Sequence, residues 1–262
     1  MTVEEYLDRI GVAADPEPTL AWLTAAQEAH LTTVPFENLD IHLDVPIELD
    51  DARLLDKVVR RRRGGFCYEL NGTFIWLLRA VGFRADLLEA QVAVDDERYT
   101  DPFDHAVIRV WLDGQPWHAD VGFGEHARRP FPLVDGVTHV EGDRSWRWVA
   151  RQAGSLDLDR RSAAADWSHD HRVSLEPRRL ADFADRCRWQ QTSVDSHFTE
   201  GPVCTIARPG GGRVTLADDL LITTGPDGTR EEATLTTDAD VLAAYHDLFG
   251  VDLSHRPRRK SR

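Results

Sequence analysis

Arg63-Gly64-Gly65-Phe66-Cys67-Tyr68-Glu69-Leu70-Asn71 is the stretch on which the fold turns. Two adjacent glycines permit a tight bend and a close approach to the backbone. Directly after them Leu70, Phe74, Leu77, Leu78 and Val81 recur at helical spacing, and Gly82 offers a stop. Cys67 therefore stands at a helix N-terminus, where unpaired N–H groups and the positive end of the helix dipole meet. That setting favours thiolate, the nucleophilic form of cysteine, and the same N–H groups can hold a developing oxyanion. A free cysteine is most often a small core residue, so Cys67 becomes a nucleophile only in company with a base.

Upstream of the bend the chain reads helical. Thr2 and Glu5 form a capping box ahead of Tyr6 and Ile10, with Gly11 as the stop. A second helix begins after Thr19, with Leu20, Leu23 and Ala26 on one side. A third runs from about Asp51, with Leu54, Leu55, Val58 and Val59 apolar, until Gly64-Gly65 ends it. Its last turn, Arg60-Arg61-Arg62-Arg63, reads as a solvated helix end whose cations complement the dipole, in preference to a phosphate site.

Downstream the pattern changes to strands: Leu87 to Val94, His105 to Leu112, Trp117 to Val121 and Trp146 to Ala150. A helix is expected from Arg178 to Trp189. Strands follow at Val203 to Ala207, Arg213 to Ala217 and Leu220 to Thr224, with a turn at Pro209-Gly210-Gly211-Gly212, and then a helix from about Asp238 to Phe249. The base is found in the hairpin around Asp113-Gly114. A two-residue turn there pairs Leu112 with Gln115, so that Val107 faces Asp120 and His105 faces Gly122. Side chains alternate, so His105, Val107 and Asp120 share a face, with imidazole and carboxylate on a reachable diagonal. A three-residue loop would turn Asp120 to the opposite face. His118 shares the face too; further from the strand end and opposite Arg109, it reads as a structural or edge histidine. Cys67, His105 and Asp120 together form a candidate Cys-His-Asp triad for acyl transfer.

Composition sets the bounds. The chain has 262 residues, 42% hydrophobic and 29% charged, enough for a large core. Lys plus Arg number 31 against 45 Asp plus Glu, a formal net charge of −14 that repels nucleic acid and anionic membranes, so neither is expected as a partner. The N-terminal MTVEEYLDRIG has no signal-peptide pattern and no apolar run is long enough to span a bilayer, so a cytoplasmic location is expected. Cys67, Cys187 and Cys204 are too few and too scattered for a disulfide framework or a zinc site, and no metal site is expected. The basic tail HRPRRKSR reads as mobile.

The words Arg63-Gly64-Gly65-Phe66-Cys67-Tyr68-Glu69-Leu70-Asn71, Asp104-His105 and Asp120-Val121-Gly122-Phe123-Gly124, with Val34-Pro35-Phe36-Glu37-Asn38-Leu39 upstream, resemble the arylamine N-acetyltransferase family. The likeness is strongest over residues 34 to 124. Gln191 to Phe198 keeps the family pattern, with Val194 where the family carries proline. The resemblance implies an α+β fold with a cysteine-protease-like triad arrangement. A helical N-terminal bundle (1–83) would carry the nucleophile and a middle antiparallel β-barrel-like domain (84–190) the histidine and aspartate. The third part, 191–262, would be an α/β lid with a connecting segment and the tail. It further implies acetyl-CoA as co-substrate, with no bound cofactor, and a small-molecule amine as acceptor. Phe36, Tyr68, Val92, Phe123 and Phe198 would line the acceptor pocket, with core packing as the alternative for each. Gly122 and Gly124 would let the pantetheine arm approach the backbone, unless they serve only a bulge or turn. Arg63 would pair with Glu37, fastening the catalytic loop, and Arg128-Arg129 and the C-terminal arginines are candidates for CoA phosphates.

The expected chemistry is a two-step transfer through an acetyl-cysteine to an arylamine or arylhydrazine, with His105 moving the protons. Three rivals share the residues: a family amide synthase closing a macrolactam from a carrier-bound polyketide, a papain- or transglutaminase-like enzyme, and a non-catalytic binding protein.

Overall fold

The N-terminal helices form where their caps predict. The computed structural model describes residues 1–12, 15–163 and 165–259. Helix α1 (Val3–Ile10) starts at the Thr2–Glu5 capping box and ends on Gly11 in the left-handed region; α2 (Leu20–Thr33) starts at Thr19. Trp22, Leu23, Ala26, Gln27 and His30 are its buried residues, whereas Leu20 is exposed, so the buried face lies one step round from the one expected. After the short strand β1 (Phe36–Glu37) and helix α3 (Leu39–His42) comes α4 (Asp51–Leu55), which runs into a π-helical turn at Asp56–Arg60. This helix stops before the two glycines instead of at them. The wider turn buries Lys57 together with Val58 and Val59, and such π-turns recur at functional sites.

Helix α5 (Cys67–Val81) is the centre of the first core, with Leu70, Phe74, Leu77 and Leu78 fully buried. It packs on strands β2 (Arg84–Val92) and β3 (His105–Leu112). The hairpin from β3 to β4 (Gln115–Ala119) keeps the predicted register, Leu112 opposite Gln115 and Arg109 opposite His118. Asp113 and Gly114 both take positive φ, 49° and 79°, as a primed two-residue turn requires.

Eight antiparallel strands make one sheet in the order β5-β4-β3-β2-β9-β8-β7-β6. The strands not yet introduced are β5 (Phe131–Pro132), β6 (Thr138–Glu141), β7 (Arg144–Val149), β8 (Ser155–Ser162) and β9 (Ser168–Arg178). The sheet curls into the expected barrel-like form around a second core of Leu88, Val107, Phe131, Trp148, Leu158 and Val173. Residues alternate: Ala106, Ile108 and Val110 of β3 face α5, and Val107 faces the barrel core. Strands β8 and β9 were not anticipated. Asp157 and Asp159 interrupt the apolar pattern of β8, yet both are buried under Arg147, Arg151 and Arg172. The helix expected from Arg178 is also displaced. Arg178 ends β9, Leu180–Phe183 is a 3₁₀ turn, and α6 covers Ala184–Thr192.

The C-terminal part is a five-stranded sheet, β1-β10-β11-β12-β13, with helix α7 (Asp238–Phe249) against it. Strands β10 (Val203–Ala207), β11 (Arg213–Ala217) and β12 (Leu220–Thr224) match expectation, and β13 (Arg230–Thr234) was missed because it is polar and exposed. Phe36 and Glu37 pair with Thr205 and Cys204, stitching the N-terminal part to this sheet. The tail is held at two points: Arg256 pairs with Asp218 and Arg258 with Asp238, while residues 260–262 lie outside the described residues.

Candidate active site

The two glycines before Cys67 are required by their neighbours. A Cβ on Gly64 would stand 1.9 Å from the Pro35 carbonyl oxygen, and one on Gly65 2.6 Å from Glu69 Oε2. The bend they permit sits on a buried network of charges. Arg63 Nη2 lies 2.7 Å from Glu37 Oε1 and 2.9 Å from Asp40 Oδ1. Lys57 Nζ lies 2.7 Å from both Asp40 Oδ2 and Glu69 Oε1. Burial pushes Glu69 up to about 7, and its Oε2 accepts the Phe66 N–H at 3.1 Å. The expected Arg63–Glu37 pair is thus one edge of a five-residue cluster, while Arg60 and Arg61 are solvated. Arg9 pins the same bend by donating to the carbonyls of Val58, Thr33 and Arg62.

Cys67 opens α5 and is 3% exposed. Burial raises its thiol well above the ordinary value, so the helix start alone does not make it a thiolate; a base must take the proton. His105 lies on the same cavity wall. His105 Nε2 is 2.7 Å from Asp120 Oδ2, which leaves Nδ1 as the nitrogen open to the cavity. Burial would raise Asp120, but the charge and hydrogen bond of His105 reverse this and hold its carboxyl well below the usual carboxylate range. Its other oxygen, Oδ1, accepts Asn71 Nδ2 at 2.8 Å and the Gly122 N–H at 2.7 Å. Asn71 also donates to the Ala106 carbonyl at 2.6 Å and accepts the Val121 N–H at 3.0 Å, joining α5 to both strands of the hairpin. Asn71 was not singled out from sequence, although its spacing of four from Cys67 puts both on one helix face.

The loop ahead of His105 is also held. Phe103 takes φ of +66°, a conformation that costs a non-glycine residue about 1–3 kcal/mol. Tyr68 Oη donates to the carbonyls of Phe103 and Asp104, at 2.8 and 3.1 Å. Arg186 and Gln190 of α6 donate to Asp104 Oδ1, each at a closest distance of 2.6 Å.

Cys67 and His105 open on a cavity of about 410 Å³ whose walls include Phe36, Val92, Phe123 and Phe198. Phe123 packs edge-on to His105, with centroids 5.0 Å apart. Asn38, Thr100, Asp104, His197 and Val203 complete the walls and were not foreseen. Tyr68 is corrected. It is fully buried between Phe66 and Phe183, its hydroxyl spent on the loop carbonyls, and it presents no surface to a ligand. Gly122 lines the cavity, but its lack of a Cβ answers first to Cys67, whose Cα such an atom would meet at 2.7 Å. Gly124 has φ of +86° and faces the Phe36 ring. Val194, at the departure from the family pattern, is 71% exposed and lines none of this cavity. Of the arginines expected near CoA, Arg128 donates to the carbonyls of Arg208 and Gly212, and Arg256 and Arg258 pair with aspartates.

The N-acetyltransferase family profile matches residues 19–258. The chain belongs to the arylamine N-acetyltransferase family. A pineal gland arylamine N-acetyltransferase isozyme, NAT-3 of Gallus gallus, is 33% identical over 236 residues, covering 82% of this chain and 81% of its own. Among solved structures, the arylamine N-acetyltransferase of Salmonella typhimurium superposes with a TM-score of 0.90 at 26% identity, covering 97% of this chain and 93% of that one. The Mycobacterium marinum arylamine N-acetyltransferase in complex with CoA gives a TM-score of 0.84 at 30% identity, with 95% and 92% covered. As a member of this family the chain is an acyltransferase with the expected α+β fold. No helix among the described residues is long and apolar enough to cross a membrane.

Proposed function

We propose that the chain moves an acetyl group from acetyl-CoA, through a thioester on Cys67, to the nitrogen of an arylamine, arylhydrazine or similar amine. The observation that carries this is the shared wall: Cys67 and His105 face one cavity, and Asp120 holds the far nitrogen of the imidazole at 2.7 Å. Cys67 gives its proton to His105 Nδ1 as sulfur attacks the thioester carbonyl. The tetrahedral adduct collapses, the C–S bond to CoA breaks, and the imidazolium returns the proton to the departing CoA thiolate. The amine then attacks the acetyl-cysteine, its proton passes to His105, and the Cys67 thiol leaves reprotonated as the amide forms. Asp120 keeps the imidazole oriented and supports its charge at each transfer. Weakly basic arylamines are neutral near pH 7 and enter an apolar cavity without prior deprotonation.

Phe36, Val92, Phe123 and Phe198 form the acceptor walls in this proposal, and the pantetheine arm runs past Gly122 and Gly124. The chain works in the cytoplasm and divides functionally at residues 83 and 190. A cavity of about 410 Å³ suits a small amine and is at the small end of ligand pockets; a macrolactam precursor needs more room. Family membership weighs against papain- or transglutaminase-like chemistry.

Acetyl-CoA without amine is expected to leave one acetyl group, mapped by peptide mass to Cys67. Cys187 and Cys204, both buried away from this cavity, stay unmodified. An arylamine then discharges the adduct, with parallel-line kinetics when both substrates vary. An adduct formed only from a carrier-bound acyl thioester would transfer the proposal to an amide synthase. Intersecting lines with no adduct from any thioester would sink the covalent route.

A further inference from the structure

Three histidines meet inside the barrel, beside the triad but outside it. His118 comes from β4, His126 from the segment after Gly124, and His171 from β9. Their ring centroids form a nearly equilateral triangle with sides of 5.4, 5.7 and 5.9 Å. One nitrogen from each lies within 4.8 Å of the others. His118 is 1% exposed and neither of its nitrogens finds a hydrogen-bond partner in the protein; nor does Nε2 of the fully buried His171, while Nε2 of His126 faces Asp170 Oδ2. A buried polar atom left in this state is costly, and aromatic packing against Trp148 and Phe131 does not supply a strong acceptor.

We propose that His118, His126 and His171 bind one divalent transition-metal ion of the zinc type, with Asp170 as the carboxylate that orients His171. Three imidazoles on a tetrahedral ion, with metal–nitrogen distances of about 2.0–2.1 Å, place their centroids roughly 5 Å apart, close to the observed triangle. Asp170 Oδ2 lies 3.2 Å from His171 Nδ1, the carboxylate–histidine arrangement that fixes a ligand's tautomer and leaves Nε2 for the metal. His126 demands the largest adjustment. Its Nδ1 accepts the Ala127 N–H at 2.7 Å, and Nε2 stands 3.4 Å from Asp170 Oδ2, so the ring must turn over to present an unprotonated nitrogen. His126 also borders an open cleft of about 720 Å³ whose lining mixes Glu125, Glu141 and Asp143 with Arg128, Arg144 and Arg213, and this cleft is the way in for a solvated ion. Imidazole ligands suit zinc, copper, iron and nickel, and zinc accepts a three-histidine set with solvent in the fourth position. This site does not depend on the acetyl-transfer reading.

The test uses the full chain in a Cys67→Ala background, so that the nucleophile cannot serve as a ligand. After chelator dialysis, cobalt(II) titrated in should give the visible absorption of a four-coordinate site at one equivalent per chain. Zinc should displace it, with the same stoichiometry by elemental analysis. His118→Phe and His126→Phe, each checked for folding by circular dichroism, should abolish the signal. Asp170→Asn should weaken binding about 10–100-fold, and His169→Gln, outside the triangle, should leave it unchanged. If His118→Phe does not fold, His126→Phe and Asp170→Asn carry the test. Failure of the Cys67→Ala chain to bind an equivalent, or undiminished binding in any folded His118 or His126 variant, would overturn the site.

Discussion

The imidazole is committed at one nitrogen before any substrate arrives. Asp120 accepts from His105, Asn71 and the Gly122 N–H, so donors from β3, α5 and the segment after β4 hold its carboxylate in place. Asp120→Asn should cost about 10³-fold or more in acetyl transfer with the far-ultraviolet spectrum unchanged, because the imidazole loses its anionic partner; near-normal turnover would remove Asp120 from the triad. The same residue has a signature in acid. Its folded-state value lies below the unfolded value of about 3.9. The stability it contributes is therefore present above about pH 4 and lost as pH falls through the folded value. Stability measured by denaturant should separate wild type from Asp120→Asn near neutrality, and the gap should shrink below about pH 4. A gap that widens there would contradict the depressed carboxyl. At this scale Cys67, His105 and Asp120 were legible because each follows from a local rule, a helix start or a hairpin register. Tyr68 was misplaced because motif position does not tell which way a helical side chain turns into the core.

The bend before α5 is held by a buried charge cluster, and charge burial sets the stakes of each member. Arg63 faces Glu37 and Asp40 with only 9% of its side chain exposed, whereas the Arg61 side chain is 54% exposed beside Asp56. Arg63→Ala leaves two carboxylates to Lys57 alone and should cost about 3–5 kcal/mol in denaturant unfolding. Arg61→Ala should cost about 0–1 kcal/mol. Equal losses would mean that the cluster is no more than a solvated run. Elements announced by caps and turns were the legible ones: α1 by its capping box, α5 by Gly82, the β3–β4 hairpin by Asp113-Gly114. Strand β8 was hidden because Arg147 of β7, Arg172 of β9 and Arg151 between β7 and β8 neutralise Asp157 and Asp159, and that pairing is invisible along the chain.

At the scale of the molecule the cavity is closed by segments far apart in sequence. Asn38 donates to the carbonyls of Phe198 and Gly201, both at 2.9 Å, and accepts the Val203 N–H at 2.7 Å. It thereby ties the segment bearing Phe198 to the N-terminal part. Asn38→Ala leaves those groups unpaired at about 1–3 kcal/mol and loosens one wall. The KM for an arylamine should rise more than kcat falls, while the rate of Cys67 acetylation by acetyl-CoA changes little. A loss of stability with unchanged KM would show that the wall does not depend on this clasp.

What the chain determined by itself was whatever depends on neighbours within a few residues: caps, the Gly64-Gly65 bend, the turn at Asp113-Gly114 and hence the shared face of His105 and Asp120. Those interactions are short in sequence, so spacing and residue type carry them. Only the tertiary structure decided how Asn71 braces Asp120, that burial raises the Cys67 thiol, and that His118, His126 and His171 converge. Each of these depends on desolvation and on distances between residues brought together by the curled sheet, and neither quantity exists until the chain has closed on itself.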